Sequence, residues 1–197
     1  MSFRLGLTGS IGMGKSTTAA LFAQQGCAIW DADAAVHRLY APGGTAVAPM
    51  AALFPEAVID GAVSRDALKA IIGRDPQALK QIEQVVHPLL ATDRADFVEH
   101  AQSDILVFDI PLLFETGGNA RMDAVVVVSA PADVQRQRVL QRGTMTEAQF
   151  QAILAKQMPD AEKRARADFV IETDTLDHAR QQVEAVVQHI RKGRADA

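Results

Sequence analysis

The residues best suited to chemistry lie near the amino terminus, where Gly9 to Ser16 spell GSIGMGKS. This string fits the pattern G-x-x-x-x-G-K-[ST], in which glycines let the backbone wrap closely around phosphate groups and point successive N–H groups at them. Lys15 would reach the β- and γ-phosphates of a nucleotide, and the Ser16 hydroxyl would sit on Mg²⁺. The spacing therefore predicts a site for a nucleoside triphosphate.

The pattern also requires a strand before the loop and a helix after it. Phe3–Thr8 is predicted as a strand, and Lys15–Gln25 is predicted as a helix that Gly26 closes. A helix that begins at the loop would add the positive end of its dipole to the phosphate site. This context favours a real nucleotide site over a glycine-rich turn that matches by accident.

Short β-branched runs alternate with helical patterns along most of the chain. The further predicted strands are Ala28–Trp30, Asp104–Ile110, Ala124–Ser129 and Asp168–Glu172. The further predicted helices of this alternating part are Ala132–Gln141, Glu147–Lys156 and Leu176–Ile190. This alternation predicts an α/β fold with an open, parallel, five-stranded sheet flanked by helices.

The stretch from Ala41 to Gln102 interrupts this alternation. It has no convincing strand, and several helical segments in it are separated by proline and glycine. One of these segments is predicted to begin at His87-Pro88, with Pro88 at the first helical position. We interpret the stretch as a helical insertion between the second and third strands, long enough to cover a ligand.

Two acidic segments follow predicted strands. Asp31 and Asp33 come after the second strand, where an open parallel sheet binds its ligands, so Asp33 is either a general base or the cap of a helix over Ala34–Tyr40. Asp109 ends an apolar strand, as the acid that helps to hold Mg²⁺ does in many phosphate-loop proteins, or it is a capping residue of a buried strand. Glu115 would orient water or an arginine, or begin a helix.

Basic residues cluster in the second half of the chain. Arg138 and Arg142 lie four residues apart on a predicted helix, and Lys163 belongs to a second cluster before the last strand. Arginines on a closing lid would stabilise a transferred phosphoryl group. The alternative for each of these side chains is a solvated helix face.

Composition and charge exclude several classes of protein. The chain has 197 residues, a formal net charge of −4 and the single cysteine Cys27, which is interpreted as a small buried hydrophobe. An intramolecular disulfide and a cysteine zinc cluster are therefore excluded. A mildly acidic chain is poorly suited to capture nucleic acid or anionic membranes. No apolar run reaches the length of a membrane span, so we expect a cytoplasmic protein.

The loop leaves several functions open. A GTPase would need an Asn-Lys-x-Asp string, which the sequence lacks, and a large motor ATPase would need a longer chain. A small kinase fits the length, provided that a carboxylate accepts the hydroxyl proton and arginines steady the phosphoryl group. One alternative is a nucleotide-dependent switch without catalysis. Another is a nucleic-acid-binding protein, which the negative net charge disfavours.

Taken together, the motifs resemble those of the dephospho-CoA kinase family from about Phe3 to Thr173. The matching segments are Gly6–Ser16, Asp31-Ala32-Asp33, His87-Pro88, Asp109–Glu115 and Ala167–Ile171, with Arg65, Leu68, Gln157, Glu162 and Lys163 between them. The loop alone is generic, whereas the order and spacing of all these segments are specific. Where the family often has an Ile-Arg pair after His-Pro-x, this chain has Leu90-Ala91, and Arg94 is the substitute we consider.

The resemblance implies ATP-dependent phosphorylation of the ribose 3′-hydroxyl of dephospho-CoA, which gives CoA and ADP. The runner-up is another phosphate-loop kinase of nucleotides or small metabolites. The implied parts of the single kinase domain are a core over about residues 1–40, 103–135 and 165–197, an acceptor subdomain over about 41–102 and a lid over about 136–164. The implied partners are ATP with Mg²⁺ and dephospho-CoA, without nucleic acid or membrane, in a monomer or weak homo-oligomer.

The resemblance also implies roles for individual residues. The implied catalytic residues are Asp33 as the base, Lys15 and Arg142. The implied ATP-binding residues are Gly9, Ser10, Ile11, Gly12, Met13, Gly14, Lys15, Ser16, Thr17 and Arg142. The implied acceptor-binding residues are Thr8, Asp33, Arg65, His87 and Leu113, and the implied metal ligands are Ser16 and Asp109.

Overall fold

A computed structural model describes residues 2–195. Its strands are β1 (Phe3–Thr8), β2 (Ala28–Asp31), β3 (Val58–Ile59), β4 (Ala62–Val63), β5 (Ile105–Asp109), β6 (Ala124–Ser129) and β7 (Phe169–Glu172). Its α-helices are α1 (Lys15–Gln24), α2 (Ala32–Tyr40), α3 (Val47–Leu53), α4 (Arg65–Arg74), α5 (Gln77–His100), α6 (Ala132–Gln141), α7 (Glu147–Leu154), α8 (Asp160–Ala165) and α9 (Leu176–Ala195).

Five of the strands form one sheet in the order β2-β5-β1-β6-β7. Strand β1 pairs in parallel with β5 and β6, and β6 pairs in parallel with β7. All residues of β5 and β6 are buried, as near-continuous apolar strands covered on both faces should be. The carboxyl ends of the parallel strands share one edge, so the loops that follow them converge there. The predicted α/β fold and five-stranded sheet are confirmed.

Helices cover both faces of this sheet. On one face, Phe22 of α1 and Val183 of α9 are fully buried against Leu5 and Val126 of the sheet. Complete burial of a side chain such as Phe22 stabilises the fold by about 1.5–3 kcal/mol. On the other face, Leu113 is fully buried in a smaller apolar cluster. The sheet is thereby held as a rigid base for the loops at its carboxyl edge.

The chain divides into two compact units, Met1–Trp30 with Ala101–Ala197 and Asp31–His100. The second unit has its own apolar cluster, in which Met50, Leu68, Ile82 and Val86 are buried. The three-part division into core, acceptor subdomain and lid is finer than these two units and stays a prediction.

The second unit contains a short hairpin that the sequence analysis missed. Strands β3 and β4 pair antiparallel through Val58 with Val63 and Ile59 with Ala62. Between them Asp60 and Gly61 adopt positive φ values of 52° and 76°, as a tight two-residue hairpin turn requires. The prediction that residues 41–102 contain no strand is wrong, because two-residue strands are too short to show alternation.

Helix α5 also differs from its prediction. It runs unbroken from Gln77 to His100, with Pro88 inside it and not at its start. Proline removes one backbone donor and crowds the preceding turn. Here Val86 is buried in the apolar cluster before Pro88, and Leu89 and Leu90 pack against that cluster after it, so packing on both sides of Pro88 carries the helix through it. The predicted helix start at His87-Pro88 is wrong.

Two smaller differences concern the carboxyl half. Helix α8 was not predicted, since six residues cover less than two turns of helical periodicity. Helix α9 continues five residues beyond its predicted end at Ile190. Of the helices among residues 2–195, none combines the length and the apolar character needed to span a bilayer.

Cys27 is expected to resist thiol reagents in the native protein. Its side chain is 6% exposed, and burial raises the pKa of its thiol to about 11, so the reactive thiolate is scarce at pH 8. Titration with a chromogenic disulfide should give no reaction before unfolding and one equivalent after it. Stoichiometric labelling of the folded protein within seconds would contradict the buried position.

Candidate active site

The loop predicted to bind phosphate joins β1 to α1 at the carboxyl edge of the sheet. Gly12 and Gly14 adopt left-handed backbone conformations, with φ values of 78° and 90°. A Cβ atom at Gly12 would lie 2.5 Å from the Val139 Cγ2 atom and 3.0 Å from the Gln135 carbonyl oxygen. Both the torsion and the close approach therefore require glycine at this position.

Three backbone polar groups of this loop form hydrogen bonds with side chains of the surrounding protein. The Ile11 carbonyl accepts a hydrogen bond of 2.7 Å from Gln135 Nε2, and the Ile11 N–H donates one of 3.1 Å to Gln157 Oε1. The Met13 carbonyl accepts a bond of 2.7 Å from the Thr173 hydroxyl. Side chains from three separate parts of the chain thus hold the loop in its wrapped shape.

The opening of helix α1 provides donors for an anion. Gly14 is its N-cap, no side chain caps it, and its first turn has no acidic residue. The first N–H groups of a helix, here those of Lys15, Ser16 and Thr17, have no acceptor within the helix. Together with the positive end of the helix dipole, they form the anion cradle that the sequence predicts.

Lys15 and Asp109 are brought together at this edge. The register of β1 and β5 pairs Leu7 with Asp109, and the Lys15 ammonium group donates a hydrogen bond to Asp109 Oδ1. The Asp109 side chain is 1% exposed and that of Lys15 is 17% exposed. The buried Asp109 carboxylate therefore positions the Lys15 ammonium group at the place where a phosphate would bind.

A cavity of about 200 Å³ opens beside the loop. It is lined by Gly14, Thr17, Thr18, Arg138, Arg142, Thr173, Thr175, Leu176 and Ala179. These residues come from the loop, α1, α6 and the region around the start of α9. The cavity lining combines hydroxyl and guanidinium groups with apolar side chains. The sequence analysis predicts no such cavity, because its lining comes from distant parts of the chain that share no motif.

The two arginines of the cavity differ in their surroundings. Arg138 donates a hydrogen bond of 2.9 Å from Nη1 to the Thr173 hydroxyl and a second from Nη2 to the Thr173 carbonyl. Arg142 is the exposed C-cap of α6. The predicted common face of Arg138 and Arg142 is present, with Arg138 held in place and Arg142 open to solvent.

Within the second unit, the two aspartates that follow β2 have different surroundings. Asp31 is the N-cap of α2, and its Oδ1 atom accepts a hydrogen bond of 2.9 Å from the Ala34 N–H. The alternative in which Asp33 caps this helix is therefore wrong. Asp33 lies in the first turn with an exposed carboxylate, and its carbonyl accepts a bond of 3.5 Å from Arg65 Nη2. Arg65 and His87 are exposed on α4 and α5.

Comparison with known proteins decides the family. The family model described as Dephospho-CoA kinase matches residues 3–178. A curated dephospho-CoA kinase of Ruegeria pomeroyi is 69% identical over 197 residues, the whole of both chains. The chain belongs to the dephospho-CoA kinase family. The resemblance inferred from the motifs is thereby confirmed.

Solved structures share this fold. A crystal structure from Thermus thermophilus superposes with a TM-score of 0.85 at 33% identity, covering 95% of this chain and 97% of that one. A dephospho-CoA kinase from Campylobacter jejuni has the same fold, with a TM-score of 0.70 at 24% identity over 98% of this chain and 100% of its own. The family match and the curated relative also confirm the predicted enzyme class, a kinase.

Two residues that the family resemblance assigns to the acceptor are buried in this member. Thr8 is fully buried, and its hydroxyl donates a hydrogen bond of 3.0 Å to the Pro111 carbonyl. Leu113 is fully buried, close to the backbone of Gly6. Both side chains help to join β1 to the segment that follows β5, and their contact with an acceptor stays a prediction.

Glu115 and Lys163, two further residues of the family motifs, form an ion pair. The Lys163 side chain is 0% exposed, and its Nζ atom lies 2.9 Å from Glu115 Oε1. Burial works to raise the pKa of Glu115, but hydrogen bonds from Lys163 and the Met158 N–H outweigh it and hold the pKa below its ordinary value. The alternative of a solvated helix face is wrong for Lys163, and Glu115 neither begins a helix nor contacts an arginine among the described residues.

Low pH is expected to destabilise this family member through its paired carboxylates. A hydrogen bond from Arg191 lowers the pKa of Asp104, and the pKa of Glu115 is lowered as well. A carboxyl group with a lowered pKa in the folded state stabilises the fold above its ordinary pKa and loses that contribution as the pH falls through the lowered value. The melting temperature should therefore decrease below about pH 4.5, the ordinary value for glutamate.

Thermal melts of the wild type and Asp104→Asn between pH 3 and pH 7 test this expectation. The variant should lose part of the decrease, because asparagine does not titrate. A wild-type melting temperature that rises as the pH drops below 4.5 would contradict it.

Proposed function

We propose that this chain is an ATP-dependent dephospho-CoA kinase, which phosphorylates the ribose 3′-hydroxyl of dephospho-CoA to give CoA and ADP. This is the last step of coenzyme A synthesis. The observation that carries the proposal is the family match over residues 3–178 in a chain whose phosphate loop is complete and wrapped. The alternative of another small-metabolite kinase on the same fold has no comparable support.

In this proposal ATP lies along the phosphate loop. The N–H groups at the start of α1 and the Lys15 ammonium group would hold its phosphates, and the cavity lined by Thr17, Thr175 and Leu176 would receive its base. A base pocket of mixed apolar and hydroxyl lining is what a planar heterocycle with a few polar edges requires. Because side-chain hydrogen bonds hold the loop in its wrapped shape, little conformational entropy would be lost when ATP binds.

Mg²⁺ would accompany the ATP. Among residues 2–195, no three His, Cys, Asp or Glu side chains are grouped to hold a metal ion by themselves. Mg²⁺ usually keeps several waters and is bound by one or two protein oxygens together with substrate phosphates. The Ser16 hydroxyl and the Asp109 carboxylate fit that requirement, and the ion would supply neutralisation of phosphate charge there.

The acceptor would be held by the helical insertion, with Asp33 as the general base. Asp33 follows the carboxyl end of β2, and its exposed carboxylate is free of the capping role that Asp31 fills. In this role Asp33 orients the 3′-hydroxyl and accepts its proton as the phosphoryl group transfers. Arg65 and His87, with Thr8 and Leu113, are the acceptor-binding residues we propose.

Arg142 would contact bound ATP from the predicted lid and would help to exclude water from the transfer. Replacing Arg142 with Met is expected to lower kcat by about 10- to 100-fold, the equivalent of one hydrogen bond to a charged group. Steady-state kinetics with varied ATP test this, with Arg136→Met as the control because Arg136 forms an exposed ion pair with Glu147. A raised KM for ATP with an unchanged kcat would contradict the catalytic role and leave Arg142 as a nucleotide-binding residue only.

The deciding experiment measures ADP release from ATP·Mg²⁺ with and without dephospho-CoA, alongside AMP, adenosine and shikimate. We expect release that depends on dephospho-CoA alone, with CoA as the product. A Lys15→Met preparation purified in the same way controls for contaminating kinases. Absence of stimulation by dephospho-CoA in protein that binds ATP would overturn the proposal.

We also propose that the protein works in the cytoplasm as a monomer or weak homo-oligomer, without nucleic acid or membrane. The net charge of −4 and the single cysteine support this. Light scattering after size exclusion tests the oligomeric state.

A further inference from the structure

The stretch from Gln157, which lies between α7 and α8, to Lys163 within α8 contacts three elements at the carboxyl edge of the sheet. Gln157 Oε1 accepts a hydrogen bond from the Ile11 N–H of the phosphate loop. Asp160 Oδ2 accepts one of 2.7 Å from the Ser129 hydroxyl at the end of β6. Lys163 bonds to the segment that follows β5. One short stretch therefore braces the loop and both strands that flank β1.

Lys163 anchors this stretch from inside the protein. Its Nζ atom lies 2.9 Å from Glu115 Oε1 and 3.4 Å from the carbonyl oxygen of Pro111. The same Pro111 carbonyl accepts the hydrogen bond of Thr8, the last residue of β1 before the loop. The buried ammonium group thus links α8 to the chain on the strand side of the loop.

Glu115 completes the anchor by holding the other end of the stretch. Its Oε1 atom accepts a hydrogen bond of 2.9 Å from the Met158 N–H, next to Gln157. One carboxylate oxygen therefore binds both the Lys163 side chain and the backbone beside Gln157. The pair thus holds the backbone directly beside Gln157, whose side-chain amide oxygen accepts the Ile11 hydrogen bond.

Stability alone is a weak reason to bury such a pair. Removing two charges from water costs several kcal/mol, and well-packed apolar residues of similar volume often stabilise a fold as well or better. A buried pair does, however, fix a geometry, because a shift of either partner would leave a charge in the protein interior. The contacts of this pair lead through Met158 and Gln157 to Ile11 of the phosphate loop.

We infer that Lys163 and Glu115 are positioning residues of the kinase, which act through Gln157 to hold the phosphate loop in the shape that binds ATP. This inference rests on the proposed function, because it assumes that ATP occupies the loop. Neither residue touches ATP in this role. Misplacing reacting groups by about 1 Å from a distance can cost on the order of 100-fold in rate.

The test compares Lys163→Met, Gln157→Leu and the double variant with the wild type. Methionine keeps most of the lysine volume without the charge, and a leucine side chain in place of Gln157 cannot accept the Ile11 hydrogen bond. Arg166→Met is the matched control, since Arg166 pairs with Glu162 on the surface of the same segment. The measurements are kcat and KM for ATP, calorimetric binding of a non-hydrolysable ATP analogue, melting temperature, and hydrogen exchange of the peptide that covers residues 9–14.

Both single variants should lower kcat/KM for ATP by about 10- to 100-fold, weaken analogue binding and speed exchange in the loop peptide. Gln157→Leu should do so with little change in melting temperature, which separates positioning from stability. The double variant should be no worse than Lys163→Met alone, since one brace is released in both. Arg166→Met should match the wild type in each measurement.

Wild-type ATP kinetics and loop exchange in Gln157→Leu would overturn the inference, and so would defects of the two single variants that multiply in the double variant. If Lys163→Met does not fold, Gln157→Leu still decides between the two outcomes. Analogue binding and hydrogen exchange do not involve the acceptor. If dephospho-CoA is not phosphorylated, the proposed function is contradicted, but these two measurements still test the positioning role.

Discussion

Replacing Lys15 with Met is expected to reduce kcat by about 10³-fold, at the upper end of what removal of one electrostatic stabiliser costs. Lys15 is the cation at the opening of the cradle formed by Gly12, Gly14 and the start of α1. As phosphoryl transfer proceeds, charge shifts towards the bridging and γ-phosphate oxygens, and backbone N–H groups alone compensate only part of it.

Coupled ADP release at saturating ATP and dephospho-CoA measures this effect. Lys69→Met is the control, because Lys69 pairs with Asp66 on an exposed turn of α4. Since Asp109 would lose its ion pair with Lys15, the melting temperature of the variant must be measured beside its activity. A folded Lys15→Met protein with kcat within tenfold of the wild type would contradict the role assigned to Lys15.

Replacing Asp33 with Asn is expected to reduce kcat by about 10²–10⁴-fold, the range typical of general acid–base catalysis. Asparagine has nearly the size of aspartate but cannot accept the proton of the 3′-hydroxyl. The affinity for ATP should be unchanged, because the loop and the cavity that would bind ATP are formed by other residues. Calorimetric titration with an ATP analogue and steady-state turnover separate the two quantities.

Asp31→Asn is the matched control for this prediction. Asp31 caps α2, and asparagine caps a helix about as well as aspartate does, so both stability and turnover should be kept. If Asp31→Asn loses turnover and Asp33→Asn retains it, the prediction is contradicted, and Asp31 rather than Asp33 is the general base.

The elements that position the phosphate loop could be predicted because their patterns are long and consistent. The bounds predicted for Phe3–Thr8, Ala124–Ser129 and Ala132–Gln141 coincide with those in the structure. Apolar runs of five or six residues report burial on both faces of a sheet. Helical periodicity is reliable once it covers nearly three turns.

Shorter or interrupted elements could not be predicted from their own residues. The strands Val58–Ile59 and Ala62–Val63 have only two residues each, and α8 has six. Pro88 indicates a helix start by local rules, whereas packing carries α5 through it. In each case the deciding energy comes from contacts distant in sequence, which a local pattern does not contain.

By itself, the sequence determined the phosphate loop, the parallel sheet and the family, because each depends on residue types at fixed spacings along the chain. Only the tertiary structure decided that Lys163 is a buried partner of Glu115, that Asp31 and not Asp33 caps α2, and that Arg138 and Leu176 line one cavity. Burial, ion pairing and cavity lining are properties of side chains that meet from distant positions. A charged residue reads the same in a sequence whether it faces water or an opposite charge, and only its three-dimensional surroundings give it a role.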